Sequence, residues 1–290
     1  MDLLLWSDTL ASRTRHHGCI DEAKNYRPIS NLTFLSKVIE RIVADQITEH
    51  LDHTNTMPAL QSAYRRYHST ESALVKVLSD ILDAADSRQV TLLGLLDLSA
   101  AFDTVDHDIL LRRLATSFGI SGLTLKWISS FLTGRTQAVV FRGTTSAYST
   151  VKYGVPQGSI LGPVLFLLYT ADVTAVAGRH NVSVHSYADD TQLYTSCFAV
   201  DGPASAVQLL RCIDDISLWM ASNRLKLNVD KTQFIWLGSP RQLAAVSQVQ
   251  LIVGGEVVTT SDTVRDLDVT FDAQLKNHID GVARSCFYYL

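Results

Sequence analysis

A chain of 290 residues that is 47% hydrophobic and only 19% charged has the apolar side chains for a large core, which excludes a disordered tail. Its net charge of −4 runs against a free-standing nucleic-acid binder, which ordinarily carries a basic surplus, although charge can be arranged locally. Its four cysteines, Cys19, Cys197, Cys212 and Cys286, show no C-x-x-C spacing, so reduced buried thiols of an intracellular protein fit them better than a zinc site or a disulfide framework.

The opening "MDLLLWSD" lacks the basic segment and the long apolar run of a signal peptide, and residues 1–24 read as an irregular lead-in. Apolar residues then recur at helical spacing from Leu35 to Leu51, through Val38, Ile39, Ile42, Val43 and Ile47. A second amphipathic helix is expected from Ser69 to Ala85, starting at Ser69-Thr70 before Glu71. "QVTLLGLLDL" reads as a buried strand whose apolar run ends on Asp97. Two short helices follow, Asp108–Phe118 and Leu123–Leu132, closed by Gly119 and Gly134. "TQAVVFRG" and "YSTVKYGV" suggest a hairpin around "TTSA".

"PQGSILGPVLFLLYTADVTAV" is a glycine-rich turn entering a buried helix. Its longest apolar run is broken by Pro163 and closed by Asp172, too short to span a membrane. "VHSYADDTQLYTS" is a second hairpin with Asp189 and Asp190 at its tip. An amphipathic helix is expected from about Ala204 to Ala221, then "LNVDKTQFIWLG" as a turn into a strand. "VQLIVGGEVV" is a glycine-glycine hairpin, "VRDLDVTF" a single strand, and a last helix runs to Leu290. Irregular alternation of helices and hairpins predicts the α+β class with a mostly antiparallel sheet.

Two adjacent carboxylates repel, and a solvated hairpin tip would account for them without any function. If the strand ending at Asp97 and the hairpin carrying Asp189 are neighbours in one sheet, however, both acids converge on one edge. Hard divalent cations take oxygen ligands, and Mg²⁺ uses one or two carboxylates plus water and phosphate oxygens. Two such ions about 4 Å apart clamp the attacking and leaving oxygens of an in-line phosphoryl transfer. Asp103 and Asp106, in the same stretch as Asp97, read instead as caps of the following helix. In "GVPQGS", Gly154 and Gly158 allow close backbone approach to a base or ribose, and Pro156 stiffens the turn.

The segments "NYRPISNLTFLSKVIERIV", "QSAYRRYHSTESAL", "LLDLSAAFDTVDH", "GVPQGSILGPVLF", "YADD" and "LNVDKT" occur in the order found in reverse transcriptases. Over residues 25–290 the chain resembles the enzymes of non-LTR (LINE-like) retrotransposons. The resemblance implies a palm-and-fingers polymerase over residues 25–272 and, in 273–290, the start of a truncated thumb. It implies an RNA template, a DNA primer and dNTPs as partners, no membrane, and two Mg²⁺ (or Mn²⁺) ions. Asp97, Asp189 and the Leu98 carbonyl become the metal ligands by this resemblance, and Asp190 a supporting acid beside them. Lys231 would act near the leaving pyrophosphate. Phe102 would exclude a ribose 2′-hydroxyl, Gln157 and Gly158 would meet the nucleotide, and Tyr187 would pack near the primer terminus. Arg65 is the candidate for the triphosphate, since guanidinium groups bind phosphate oxygens bidentately. Arg66, Arg27 and Lys37 complete the basic set of the presumed fingers.

Three departures from the family pattern stand out. Ala63 and Tyr64 replace Gly and Phe of its "QxGFR", and Leu267-Asp268-Val269 stands where it has "LGV" at the primer grip. An acid there repels a primer phosphate unless it points to solvent. Nothing resembles the endonuclease domain that full elements carry. The expectation is an intracellular polymerase core, nuclear or cytoplasmic. A catalytically silent retrotransposon remnant, or a nucleic-acid-binding module, is the alternative.

Overall fold

The amphipathic stretch from Leu35 forms the helix Phe34–His53, started by Thr33, whose hydroxyl accepts the Ser36 N–H at 3.2 Å. Its buried stripe differs from the one the apolar spacing predicts. Ser36 and Glu40 are buried alongside Ala44, Ile47 and Leu51, while Leu35 and Ile42 are 62% and 53% exposed. The reason is a hydrogen-bonding demand elsewhere. The helix Leu161–Thr170 has eight of its ten residues buried, so its first N–H groups cannot reach water. Glu40 Oε2 accepts from Ile160 N at 2.8 Å and from Leu161 N at 3.2 Å, and Oε1 accepts from the Ser36 hydroxyl at 3.3 Å. A buried carboxylate at a helix N-terminus thus fixes which face of the first helix turns inward.

The computed structural model of the chain describes residues 9–13, 26–30, 32–141, 144–247 and 249–272. They divide into two compact units, one of residues 1–59 and 100–171, the other of 60–99 and 172–290. The first unit holds the helices Phe34–His53, His107–Thr116, Gly122–Leu132 and Leu161–Thr170. It also holds a sheet in which the strand Thr9–Arg13 pairs antiparallel with Tyr26–Ser30. The lead-in read as irregular therefore contains a strand. The predicted hairpin after Gly134 exists as two short ladders, Thr136–Gln137 with Ser149–Thr150 and Val140–Phe141 with Thr144–Thr145. The helix Asp108–Phe118 of the sequence reading becomes His107–Thr116, capped by Asp106, which accepts from Asp108 N and Ile109 N. Asp103 is not the cap of that helix, and its Oδ1 accepts from the Gln157 amide at 2.8 Å.

The second unit is built on a four-stranded antiparallel sheet in the order Gln233–Leu237, Val90–Leu96, Asp190–Cys197, Ser183–Tyr187. Leu93, Tyr194 and Ile235 lie in one register row and share one face. The helix Thr70–Asp86 buries Leu74, Val77 and Ile81 in the same cluster, with Val264 and Phe271. That helix starts on a capping box of Ser69 and Ser72. The helices Val173–Arg179 and Gly202–Ser222 complete the unit. The α+β class with an antiparallel sheet is as expected. "VRDLDVTF" is not one strand but a hairpin, Val264–Asp266 with Val269–Phe271, turning on Leu267 and Asp268 at φ 45° and 69°. Period-2 alternation cannot show this turn, since neither residue is the glycine or asparagine such turns favour. The region expected to begin a thumb, 273–290, lies outside the described residues. The stretch Leu161–Arg179 is long and apolar enough to cross a membrane by composition, but it is 61% buried, as a core helix is.

Because Glu40 satisfies two buried N–H groups, Glu40→Ala should lower unfolding free energy by about 2–4 kcal/mol, and Glu40→Gln by about 1 kcal/mol. Urea unfolding at fixed pH checks both; equal, negligible losses would mean that the helix start finds other acceptors.

Candidate active site

In the second unit, the ladder between Val90–Leu96 and Asp190–Cys197 ends on the pair Leu96–Thr191. One step further along the same register brings Asp97 opposite Asp190. The neighbouring hairpin pairs Tyr187 with Asp190, leaving Ala188 and Asp189 as a two-residue turn. The acids thus gather at one end of the sheet because the register, not local sequence, aligns them. Asp97, Tyr187, Ala188, Asp190 and Lys231 line a cavity of about 630 Å³, with Asp266 at its wall.

Asp97 is held from the other side. Its carbonyl accepts from Asn228 N at 2.9 Å, and its carboxylate accepts from Asn228 Nδ2 at 3.1 Å and pairs with Lys231 Nζ at 3.2 Å. Ser99 N donates to Lys226 O, so the bonds flank the Leu98–Leu227 bridge and direct the Leu98 carbonyl away from that segment. Lys231 is 66% exposed, so its pairing contributes little to stability and leaves the ammonium free to move. Arg65 is half-buried and outside the cavity lining. Arg66 stacks over the Tyr67 ring at 4.7 Å. Asp268, the acidic departure, is 92% exposed and pairs with Arg265 at 2.9 Å.

The electrostatics follow from this crowding. Asp190 keeps solvent access on one side, yet the protein around the rest of its carboxyl thins its hydration. That desolvation, then the charges of Asp189 and Asp97, push it up to about 6 against the pull of Lys231. Tyr64 is raised by burial and then by Asp189 and Tyr187. Asp266 is pushed up to about 7, chiefly by burial, then by Asp190, and is lowered by the hydrogen bond it accepts from the Gln192 amide. The donors fit a hard divalent cation: oxygen ligands only, with mutual repulsion that a cation relieves. Among the described residues no cluster of three or more His, Cys, Asp or Glu side chains is placed to enclose a metal. The protein therefore offers a partial oxygen shell that water and phosphate oxygens complete, which is how Mg²⁺ is commonly bound.

In the first unit, Phe102 is half-buried and stacks on Phe166, ring centroids 4.6 Å apart. Gln157 lines a separate cavity of about 410 Å³ with Asp103, Arg135 and Gly154. Gly154 N and Val155 N donate to Val105 O and Phe102 O, and Gly154 sits at φ 85°, where a β-carbon would lie 2.8 Å from the Asp103 carbonyl oxygen. Glycine is required there because two backbones meet. Gly158 is exposed at φ 88°. Sequence reasoning missed Asn228, Asp266 and Gln61, whose amide bonds to Ala188. Asn228 and Gln61 lie inside quoted motifs, which was the available signal; Asp266 gave none.

These features define a carboxylate-lined cavity at one end of an antiparallel sheet. Residues 15–269 match the family described as reverse transcriptase (RNA-dependent DNA polymerase), and the chain belongs to that family. It is 28% identical over 276 residues to the probable RNA-directed DNA polymerase from transposon BS of Drosophila melanogaster, covering 92% of this chain and 30% of that protein. It is 27% identical over 272 residues to the RNA-directed DNA polymerase from mobile element jockey of the same fly, covering 91% and 29%. The chain thus spans under a third of these relatives' length. Apo telomerase from Candida tropicalis, truncated from its C-terminal domain, superposes with a TM-score of 0.63 at 13% identity, over 93% of this chain and 53% of that one. That likeness is one of fold, and it is the palm-and-fingers fold expected. Family membership implies dependence on a divalent cation.

Asp266 has a pH signature. Its carboxyl rises from an ordinary 3.8 to about 7 on folding, so the folded state binds its proton more tightly. The stability it adds is complete below pH 3.8 and is lost as pH rises through 7. Asp266→Asn should remove that falling limb and raise stability above pH 7 relative to the parent. Urea midpoints between pH 4 and 8 measure the difference, and parallel curves for the two proteins would refute it.

Proposed function

We propose that this chain is the catalytic portion of a non-LTR retrotransposon reverse transcriptase, an RNA-directed DNA polymerase that extends a DNA primer on an RNA template. The observation that carries the reading is the sheet register that brings Asp97 beside Asp190 and the turn bearing Asp189. Asp97, Asp189 and the Leu98 carbonyl would hold two divalent cations, Mg²⁺ or Mn²⁺. Those ions would supply charge neutralisation at the α-phosphate and a lower pKa for the primer hydroxyl.

The residues of the chain orient and neutralise. The primer 3′-hydroxyl gives its proton to water, and its oxygen forms a bond to the α-phosphorus as the bond to the pyrophosphate oxygen breaks. Lys231 leaves Asp97 to neutralise or protonate that leaving group. Asp190 supports the pair through its charge, and Tyr187 packs against the primer end. By the family resemblance, Phe102, held by its stack on Phe166, would stand under the incoming sugar, and Gln157 and Gly158 would meet the nucleotide. Arg65 grips the triphosphate. The exposure of Asp268 and its pairing with Arg265 support a grip less repulsive than the sequence alone suggests.

Asp97→Asn and Asp189→Asn should each cut primer extension on an RNA template by at least about 100-fold at saturating Mg²⁺, without lowering the melting temperature. Near-parental activity in either would sink the reading, and inactivity of the parent chain itself would favour a silent remnant. Phe102→Ala should admit ribonucleotides while costing deoxynucleotide incorporation only modestly. Single-turnover incorporation of both sugars decides this, and unchanged discrimination would return Phe102 to a packing role.

A further inference from the structure

The turn that carries Asp189 is strained at the residue before it. Ala188 lies at φ 57°, a left-handed conformation in which a β-carbon crowds the carbonyl and which glycine ordinarily fills. A two-residue turn bounded by the pair Tyr187–Asp190 has no slack to relieve this. The strain persists only if something outside the hairpin holds it.

Residues 60–62 do so. Ser186 N donates to Leu60 O at 2.8 Å and Ser62 N donates to Ser186 O at 3.0 Å, so this segment runs parallel along the free edge of Ser183–Tyr187. The ladder then continues through a side chain. Ala188 N donates to Gln61 Oε1 at 3.0 Å, and Gln61 Nε2 donates to Ala188 O at 3.2 Å. The primary amide thus satisfies both backbone groups of the strained residue, as a peptide unit of an added strand would. Its orientation is dictated by its neighbours, because Oε1 also accepts from Ala63 N at 2.9 Å. Gln61 is only 5% exposed, and the Ser62 hydroxyl meets His185 Nε2 at 2.9 Å, so the clamp is anchored on both sides.

We propose that Gln61 is a positioning residue that fixes the Asp189 carboxylate by clamping the peptide groups of Ala188 in their left-handed conformation. This rests on the reading of Asp189 as a metal ligand. Asparagine is one methylene too short to span both groups. Glutamate keeps an acceptor for the two N–H groups but sets an oxygen against the Ala188 carbonyl. Glycine at position 188 adopts the left-handed conformation without strain, so it needs the clamp less.

The test measures Mn²⁺ binding to the whole chain, without nucleotide, from the electron paramagnetic resonance of free Mn²⁺ well below the melting temperature. Gln61→Ala and Gln61→Glu should each weaken Mn²⁺ binding about 10-fold, the scale found for residues that orient a metal ligand. Adding Ala188→Gly to Gln61→Ala should recover at least half of that loss on a logarithmic scale, which a merely structural role would not produce. If Gln61→Ala does not fold, Gln61→Met keeps the volume and carries the same expectation. Parental Mn²⁺ affinity in the Gln61 variants, or a loss that Ala188→Gly leaves untouched, overturns the proposal. Asp189→Asn separates the two readings: if it fails to weaken Mn²⁺ binding, the metal-site reading falls, whereas if it alone does so, only the role of Gln61 falls.

Discussion

Mutual repulsion of carboxylates at one end of an antiparallel sheet is the constraint around which the second unit is arranged. Asp97, Asp189 and Asp190 are brought to one end of the sheet by strand register, and Lys231 and the amide of Asn228 offset the charge of Asp97 directly. Desolvation first, and then this crowding by Asp189 and Asp97, pushes Asp190 up to about 6. A fold keeps such an arrangement when the apolar rows beneath it supply the stability. Here Leu93, Tyr194 and Ile235 under the helix Thr70–Asp86 form that support, and Phe234 and Leu193 are fully buried in the same strands. The Tyr194 hydroxyl also donates to Asp80 at 2.5 Å, tying the helix to the strand that begins at Asp190.

The first unit meets a different demand with similar means. Its buried polar side chains are spent on backbone groups that water cannot reach. The Gly154 carbonyl accepts from Arg135 at 2.6 Å and from His107 Nε2 at 2.9 Å, and Arg135 Nε donates to Leu132 O. Burial lowers Arg135 to about 10, with the charge of Asp103 opposing the fall, and burial also lowers His107. With the Gly154–Val105 and Val155–Phe102 backbone bonds, these contacts fasten the Gln157 loop to the segment carrying Phe102. Phe102 and Gln157, two of the residues proposed to meet the nucleotide, are therefore on segments bonded to one another.

What was legible in the sequence was what depends on local period and local chemistry. The long helices, the strand ending on Asp97 and the hairpin tip at Asp189 follow from spacing, caps and turns. What was not legible depends on contacts distant in sequence. Gln61 and Ala188 are 127 residues apart, and no periodicity links them. Asp103 reads as a cap because Asx residues before helices usually are, but Asp106 is nearer the helix start and takes that role. The inward face of Phe34–His53 was misread because hydrophobicity was the only signal, and a buried N-terminus elsewhere required Glu40. The Leu267–Asp268 turn was hidden because Leu267 packs against the core cluster, so an unfavourable turn residue is held by burial.

The net charge of −4, which counted against a nucleic-acid partner, acquires a local meaning at the cavity. Four acids line it, Asp97, Asp190, Asp266 and Asp268, against two bases, Lys231 and Arg265. Such a surface repels phosphate. A divalent cation bound there reverses the sign of that interaction and is itself held more tightly once phosphate oxygens complete its shell. Each ligand must then raise the affinity for the other by the same factor, because coupling between two binding equilibria is reciprocal. On the proposed function, an acidic cavity thus does not argue against a nucleotide site; it would make nucleotide binding conditional on the cation, so that neither the bare cavity nor free metal would commit the chain to chemistry.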